Sequence, residues 1–181
     1  MSLHRERWYS YLFLAFSLLS VLGCAPTKTV FYKKPDKSKT ASYQVIEIPN
    51  FTKTDKEWVP YDSYTQIPDM IAEKLRTSNR FSEIRRSSSN SASEERVLLV
   101  QGSVTGYSRG CKFCEWFIRV NDKGKSSVSV RVRLIDKATG EILADTSIQG
   151  RAKKPGYGKS RYVRIVDEIV SLIQGINNKG S

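Results

Sequence analysis

The chain has 181 residues, with 30 Lys and Arg against 18 Asp and Glu and a formal net charge of +12. That balance speaks to acidic partners and solubility rather than to fold. The only histidine is His4, so Ser-His-Asp, Cys-His and most zinc-site arrangements have no histidine beyond the extreme amino terminus, which argues against the common hydrolase chemistries. Carboxylate-pair chemistry is not excluded, but no Asp/Glu pair stands out by spacing.

His4, Arg5 and Arg7 make a basic start, and Tyr11 to Leu22 is a mostly apolar, uncharged segment closing on Val21-Leu22-Gly23-Cys24. A charged head, a short apolar core and a small residue at the cut is the layout of a secretory signal peptide. The run is shorter than the roughly 20 apolar residues of a membrane span, and it lacks the amphipathic pattern of a core helix. A cysteine directly after the cut resembles a bacterial lipobox, although Leu22 stands where a smaller residue is commoner. The resemblance implies a signal peptide over 1–23 and acylation of Cys24 as the mature first residue, with enough acyl chains for a stable anchor. By resemblance to enteric lipoprotein sorting, Ala25 rather than an aspartate implies export to the outer membrane, facing the periplasm.

Cleavage leaves 158 residues, one domain's worth of chain, with a net charge of +11. Nucleic acid is the usual partner of such a charge, but an exported protein meets phospholipid headgroups, lipid A phosphates, anionic glycans and acidic protein faces instead. Residues 24–42 are polar and rich in Lys, Thr and Pro, and read as a lipidated tether. A single domain is expected over 43–178.

That domain opens on a β-rich run, Tyr43 to Ile48, ended by Pro49, with a loop expected beyond it through Lys53, Thr54, Asp55 and Lys56 and Trp58, Pro60 and Tyr61 near its end. Asp62 or Ser63 is the expected cap of a helix to about Ser78, in which Ile67, Ile71 and Leu75 recur at four-residue spacing. Pro68 is read as lying in the first turns, where its missing N–H matters least. Phe81 to Arg86 is a short strand candidate, and the serine-dominated Ser87 to Ser93 reads as an exposed loop.

Arg96 to Tyr107 is the next strand, whose head Val97-Leu98-Leu99-Val100 suits burial on both faces. Lys112 to Val120 is expected as another. Ser126 to Ile135 is the clearest strand, with Val128, Val130, Val132 and Leu134 on one face and Ser127, Ser129, Arg131 and Arg133 on the other. Asp136 to Gly140 signals a turn, and Glu141 to Gln149 returns as the hairpin partner. The last helix, roughly Arg161 to Ile176, carries a broad apolar stripe. The order predicts an α+β fold, a mixed, mostly antiparallel sheet covered by two helices.

Cys111 and Cys114 form a C-x-x-C that lies between predicted strands, not at the helix start that redox activity favours. A zinc site lacks further ligands. In an oxidising compartment the pair suits a small disulfide, with free thiols and redox or metal chemistry as the other readings. Extended backbone would hold the Cα atoms about 10 Å apart, beyond the roughly 7 Å limit of a bridge. A disulfide therefore requires a turn at Lys112-Phe113, which Gly110 favours. Arg119, Lys123, Lys125, Arg131 and Arg133 form a candidate anion-binding strip, set against the plainer reading of a solvated sheet face that discourages edge pairing. Gly156-Tyr157-Gly158 lacks the spacing of a phosphate loop and reads as a flexible turn, and Phe113, Trp116 and Phe117 read as core aromatics, with a contact surface near the membrane as the alternative.

Tyr43-x-Val45-x-Glu47-Ile48, Leu75 to Phe81, Leu99-Val100-Gln101-Gly102 and Val132 to Glu141 together resemble domain-of-unknown-function family 4410, small bacterial lipoproteins without an assigned activity. The strand order also resembles the amino-terminal domain of TolB, the curli secretion lipoprotein CsgG and the lipoprotein activators of penicillin-binding proteins. Arg109 to Cys114 stands where family members usually carry a glycine-rich stretch. The resemblance implies a non-catalytic, cofactor-free envelope module that docks on other envelope proteins. The alternative is a binder of anionic glycan or lipid through the basic surface.

Overall fold

The computed structural model describes residues 27–36, 42–53, 62–86, 96–110, 126–152 and 159–177. In chain order they form β1 (Lys28–Lys33), β2 (Val45–Glu47), β3 (Thr52–Lys53), α1 (Ser63–Thr77), β4 (Glu83–Arg85), β5 (Val97–Ser108), β6 (Ser127–Asp136), β7 (Ile142–Arg151) and α2 (Lys159–Asn177). The strands make one mixed sheet in the order β1-β7-β6-β5-β2-β4, with β3 paired to β5. The long ladders, β5–β6, β6–β7 and β1–β7, are antiparallel. The short ones, β2–β4, β2–β5 and β3–β5, are parallel. The fold is α+β, as the element order predicts.

The alternation in β6 is the organising pattern. Val128, Val130, Val132 and Leu134 are fully buried, while Ser127, Ser129, Arg131 and Arg133 are only partly covered. The buried row meets Ile165, Ile169 and Ile173 of α2 and Ile67, Ile71 and Leu75 of α1 in one core. Both helices therefore lie on one side of the sheet and the arginines on the other. A bulge between Val104 and Gly106 resets the faces of β5, so that Tyr107 turns to the helix side and meets Arg161 of α2.

Four expectations need correction. Lys53, expected in a loop, belongs to β3, which gains its strand character by pairing in parallel with Ser103 and Val104 of β5. The tether reading of residues 24–42 fails over Lys28–Lys33, which is β1, paired antiparallel to β7. Thr29, Val30, Phe31 and Tyr32 are β-branched or aromatic, and that local preference outweighs the surrounding lysines. Pro68 is the sixth residue of α1, beyond the four positions whose N–H groups have no helical partner. The Tyr64 carbonyl that it cannot serve accepts the Phe51 N–H at 3.0 Å instead, so the missing bond is replaced by a tertiary one. Asp62 is the N-cap residue of α1, but its side chain makes no capping bond. Its carbonyl accepts the Gln66 N–H at 2.8 Å.

The Asp136 turn shows why its residue types are needed. Asp136 Oδ1 accepts the N–H groups of Ala138 at 2.9 Å and Thr139 at 3.1 Å, and Gly140 has φ +72°, a backbone glycine adopts without steric cost. The Tyr43 hydroxyl donates to Asp136 Oδ2 at 2.9 Å, and the Tyr43 N–H donates to Asn177 Oδ1 at 2.8 Å. Tyr43 thus joins the domain's first turn of core to the hairpin and to the end of α2. Burial foremost, then the Asp136 contact, pushes the Tyr43 hydroxyl well above its ordinary value.

Candidate functional site

On the face away from the helices, β6 and β7 bring three charges together. Arg131 donates through Nε to Asp145 Oδ1 at 2.9 Å and through Nη2 to Oδ2 at 2.7 Å. Arg133, the cross-strand partner of Asp145, adds an Nε bond to Oδ2 at 3.2 Å. The Arg131 hydrogen bonds hold the Asp145 carboxyl below its ordinary value of 3.8 against the opposing effect of burial, helped by the charges of both arginines. Planar forked pairing of this kind is the strong form of ion pair. The cluster carries only one net positive charge, so most of the cationic character that the sequence offers here is neutralised within the sheet.

Tyr32 of β1 extends the cluster, its ring centroid 4.6 Å from the Arg131 guanidinium carbon. Val30, Phe31 and Tyr32 are the three consecutive large apolar side chains of β1, exposed by 43%, 41% and 63%. Among the described residues β1 has a single strand neighbour, β7. Among the described residues its outer edge therefore carries no strand partner, with Phe31 on the helix side of the sheet and Val30 and Tyr32 on the arginine side. Proteins generally protect such an edge with charge, proline or cover; here lysines flank it at both ends.

Buried polar groups elsewhere are tied into the fold. Glu47 is fully buried and receives Lys137 Nζ at 2.7 Å. Arg161 is 8% exposed, with its guanidinium near the Tyr107 and Tyr162 rings at 4.8 and 4.9 Å. The Tyr162 hydroxyl in turn meets Ser63 Oγ at 2.8 Å. The Arg161 and Tyr162 contacts fasten the starts of α1 and α2 together at the carboxyl end of β5.

Of the residues singled out from sequence, Arg131 and Arg133 are brought together by β6. Cys24, Cys111, Cys114, Arg119, Lys123 and Lys125 lie outside the described residues, as do Trp58, the serine loop, the expected 112–120 strand with its aromatics, and Gly156-Tyr157-Gly158. Gly110, just before the cysteines, has φ +73°. Sequence reasoning missed Asp145 and the whole of β1. A lone carboxylate directly after the apolar Ile142-Leu143-Ala144 run, in the expected hairpin partner of the arginine strand, is the available signal for the first. Four consecutive β-prone residues were the signal for the second. Among the described residues no helix is long and apolar enough to cross a membrane.

The fold has a counterpart among solved structures. The fold is similar to that of PelC. The PelC dodecamer from Paraburkholderia phytofirmans matches at 11% identity and a TM-score of 0.54, over 84% of this chain and 98% of that one. A second PelC dodecamer structure matches at 13% identity and 0.53 over the same shares. A Xanthomonas campestris protein of domain-of-unknown-function family 330 aligns at 10% identity and 0.49, over 82% of this chain and 95% of that one. At these identities the likeness to PelC is one of fold. No family model matches the chain, so membership of family 4410 is not shown. No characterised protein matches it by sequence.

Proposed function

We propose that this chain is a lipid-anchored, non-catalytic module of the bacterial envelope that assembles with copies of itself through the free edge of β1, giving a platform for other envelope proteins. The observation that carries the reading is the edge strand itself, with Val30, Phe31 and Tyr32 exposed in a row only a few residues from Cys24. Strand addition at such an edge supplies backbone hydrogen bonds, and the alternate side chains supply specificity. The PelC structures with this fold are dodecamers, which supports assembly of like subunits. The resemblance to a signal peptide and lipobox supports Cys24 as the anchored residue, and Ala25 after it supports the outer membrane as the compartment. A mature chain without histidine supports a binding role over catalysis.

Anionic glycan or lipid remains the second reading, carried by the net positive charge. Asp145 lowers its weight, because it occupies the two arginines of the described part of the strip.

The test is a photoreactive amino acid in place of Tyr32 in cells, with the intact mass of the purified mature protein measured alongside. The expected results are crosslinks joining two copies of the chain and a mature amino terminus at a lipid-modified Cys24. A monomeric, uncrosslinked protein, or an intact Met1, contradicts the reading.

A further inference from the structure

α2 packs on β7 and β6, and β1 carries the sheet on past it. Among the described residues, the strip left uncovered forms a groove of about 350 Å³, within the range of roughly 300–1,000 Å³ typical of small-ligand sites. Phe31 of β1, Thr146 and Ile148 of β7, and Leu172 and Gly175 of α2 line it. The pairing of Thr29 with Ile148 and of Phe31 with Thr146 places all four on the helix side of the sheet. The wall is mostly apolar, and the Thr146 hydroxyl is already spent on the Val30 carbonyl at 3.0 Å. Gly175 widens it: a Cβ at that position would meet nothing within 4 Å, although glycine inside a helix costs about 1 kcal/mol relative to alanine.

We infer that this groove holds one of the acyl chains carried by Cys24, an inference that rests on the lipoprotein reading above. The occupant follows from chain length. Cys24 precedes Thr29, the first β1 residue of the groove wall, by five residues, a span of at most about 17 Å even when fully extended. A tail tethered so close enters the groove as an intramolecular ligand at an effective concentration in the millimolar range. Neither a free phospholipid nor a second protein chain has that advantage. The tail also covers part of Phe31, which is otherwise 41% exposed.

The experiment uses the full, lipidated protein in detergent with a benzophenone amino acid in place of Ser171, an exposed residue at the groove. After irradiation and proteolysis, the expected adduct joins the α2 peptide to the acylated Cys24 peptide of the same molecule. Gly175→Leu should weaken that adduct by about tenfold, the effect of expelling about two methylenes from apolar surroundings, while intact mass still shows lipid on Cys24. Adducts only to free phospholipid or detergent, adducts only between copies, or none at all from a lipidated protein would each overturn the groove assignment. An intact mass without lipid overturns the lipoprotein reading itself, and is recognised before irradiation.

Discussion

The ring of Phe51 fills the space that a side chain at residue 102 would need, so that a Cβ on Gly102 would overlap it. This contact packs the chain just before β3 onto the middle of β5, and it gives a physical reason for glycine in the Leu99-Val100-Gln101-Gly102 motif. Gly102→Ala should therefore destabilise the domain by about 1–3 kcal/mol, as overpacking does. The smaller gain that alanine brings by restricting the unfolded chain is outweighed. Chemical denaturation checks this. The penalty should shrink in a Phe51→Leu background, where the ring is gone.

Asp145 makes stability depend on acid. Its carboxyl is held below 3.8 in the folded protein, first by the Arg131 hydrogen bonds. A depressed folded value means that the stabilisation is fully present above the unfolded value and is lost as pH falls from about 4 through the lowered folded value. Asp136 acts in the same direction: burial raises its value, but hydrogen bonds from Thr139, Tyr43 and Ala138 prevail and lower it. Asp145→Asn should cost about 2 kcal/mol at pH 7 and flatten the decline below pH 4. A decline as steep as that of wild type would remove Asp145 from this role.

Lys137 is the countercharge for a carboxylate sealed inside the sheet. Glu47 is fully buried while Lys137 keeps 27% of its side chain exposed. Lys137→Met should destabilise by about 3 kcal/mol, because it strands a buried charge. Adding Glu47→Met should recover most of the loss, since an apolar pair of similar volume is tolerated where half an ion pair is not. Thermal melts of the two single variants and the double variant decide it.

For Cys111 and Cys114 the expected outcome is a mutual disulfide that supports structure. No thiol should then react with a labelling reagent without reductant, and replacing both by serine should lower the melting temperature only slightly, because the closed loop is so short. Stoichiometric labelling of both in the absence of reductant contradicts the pairing.

The sequence made some of this fold legible and hid the rest for definite reasons. β6 was readable because one face is buried throughout, which forces strict alternation over its length. The two helices were readable for the same reason, through their apolar stripes. β1 was hidden because its partner, β7, lies more than a hundred residues away, and its own residues sit among lysines that look like a tether. Pro68 is tolerated beyond the first turn because of a donor that local sequence does not show, the Phe51 N–H from another segment. Parallel pairing of β2 with β4 and β5 leaves no local mark in strands of three residues. Of the candidate site, Arg131 and Arg133 could be found from alternation, whereas Asp145 becomes meaningful only in the register of the hairpin.

The central claim is that the edge of β1 joins like subunits. The direct measurement is the molar mass, by light scattering in detergent, of the lipidated wild-type protein and of Val30→Lys. Val30 is exposed, so a lysine there adds edge-blocking charge without disturbing the core. The account predicts a wild-type assembly of several protomers and a folded, single-protomer Val30→Lys. A wild-type protein that is a single protomer, or an assembly that survives Val30→Lys unchanged, would contradict it.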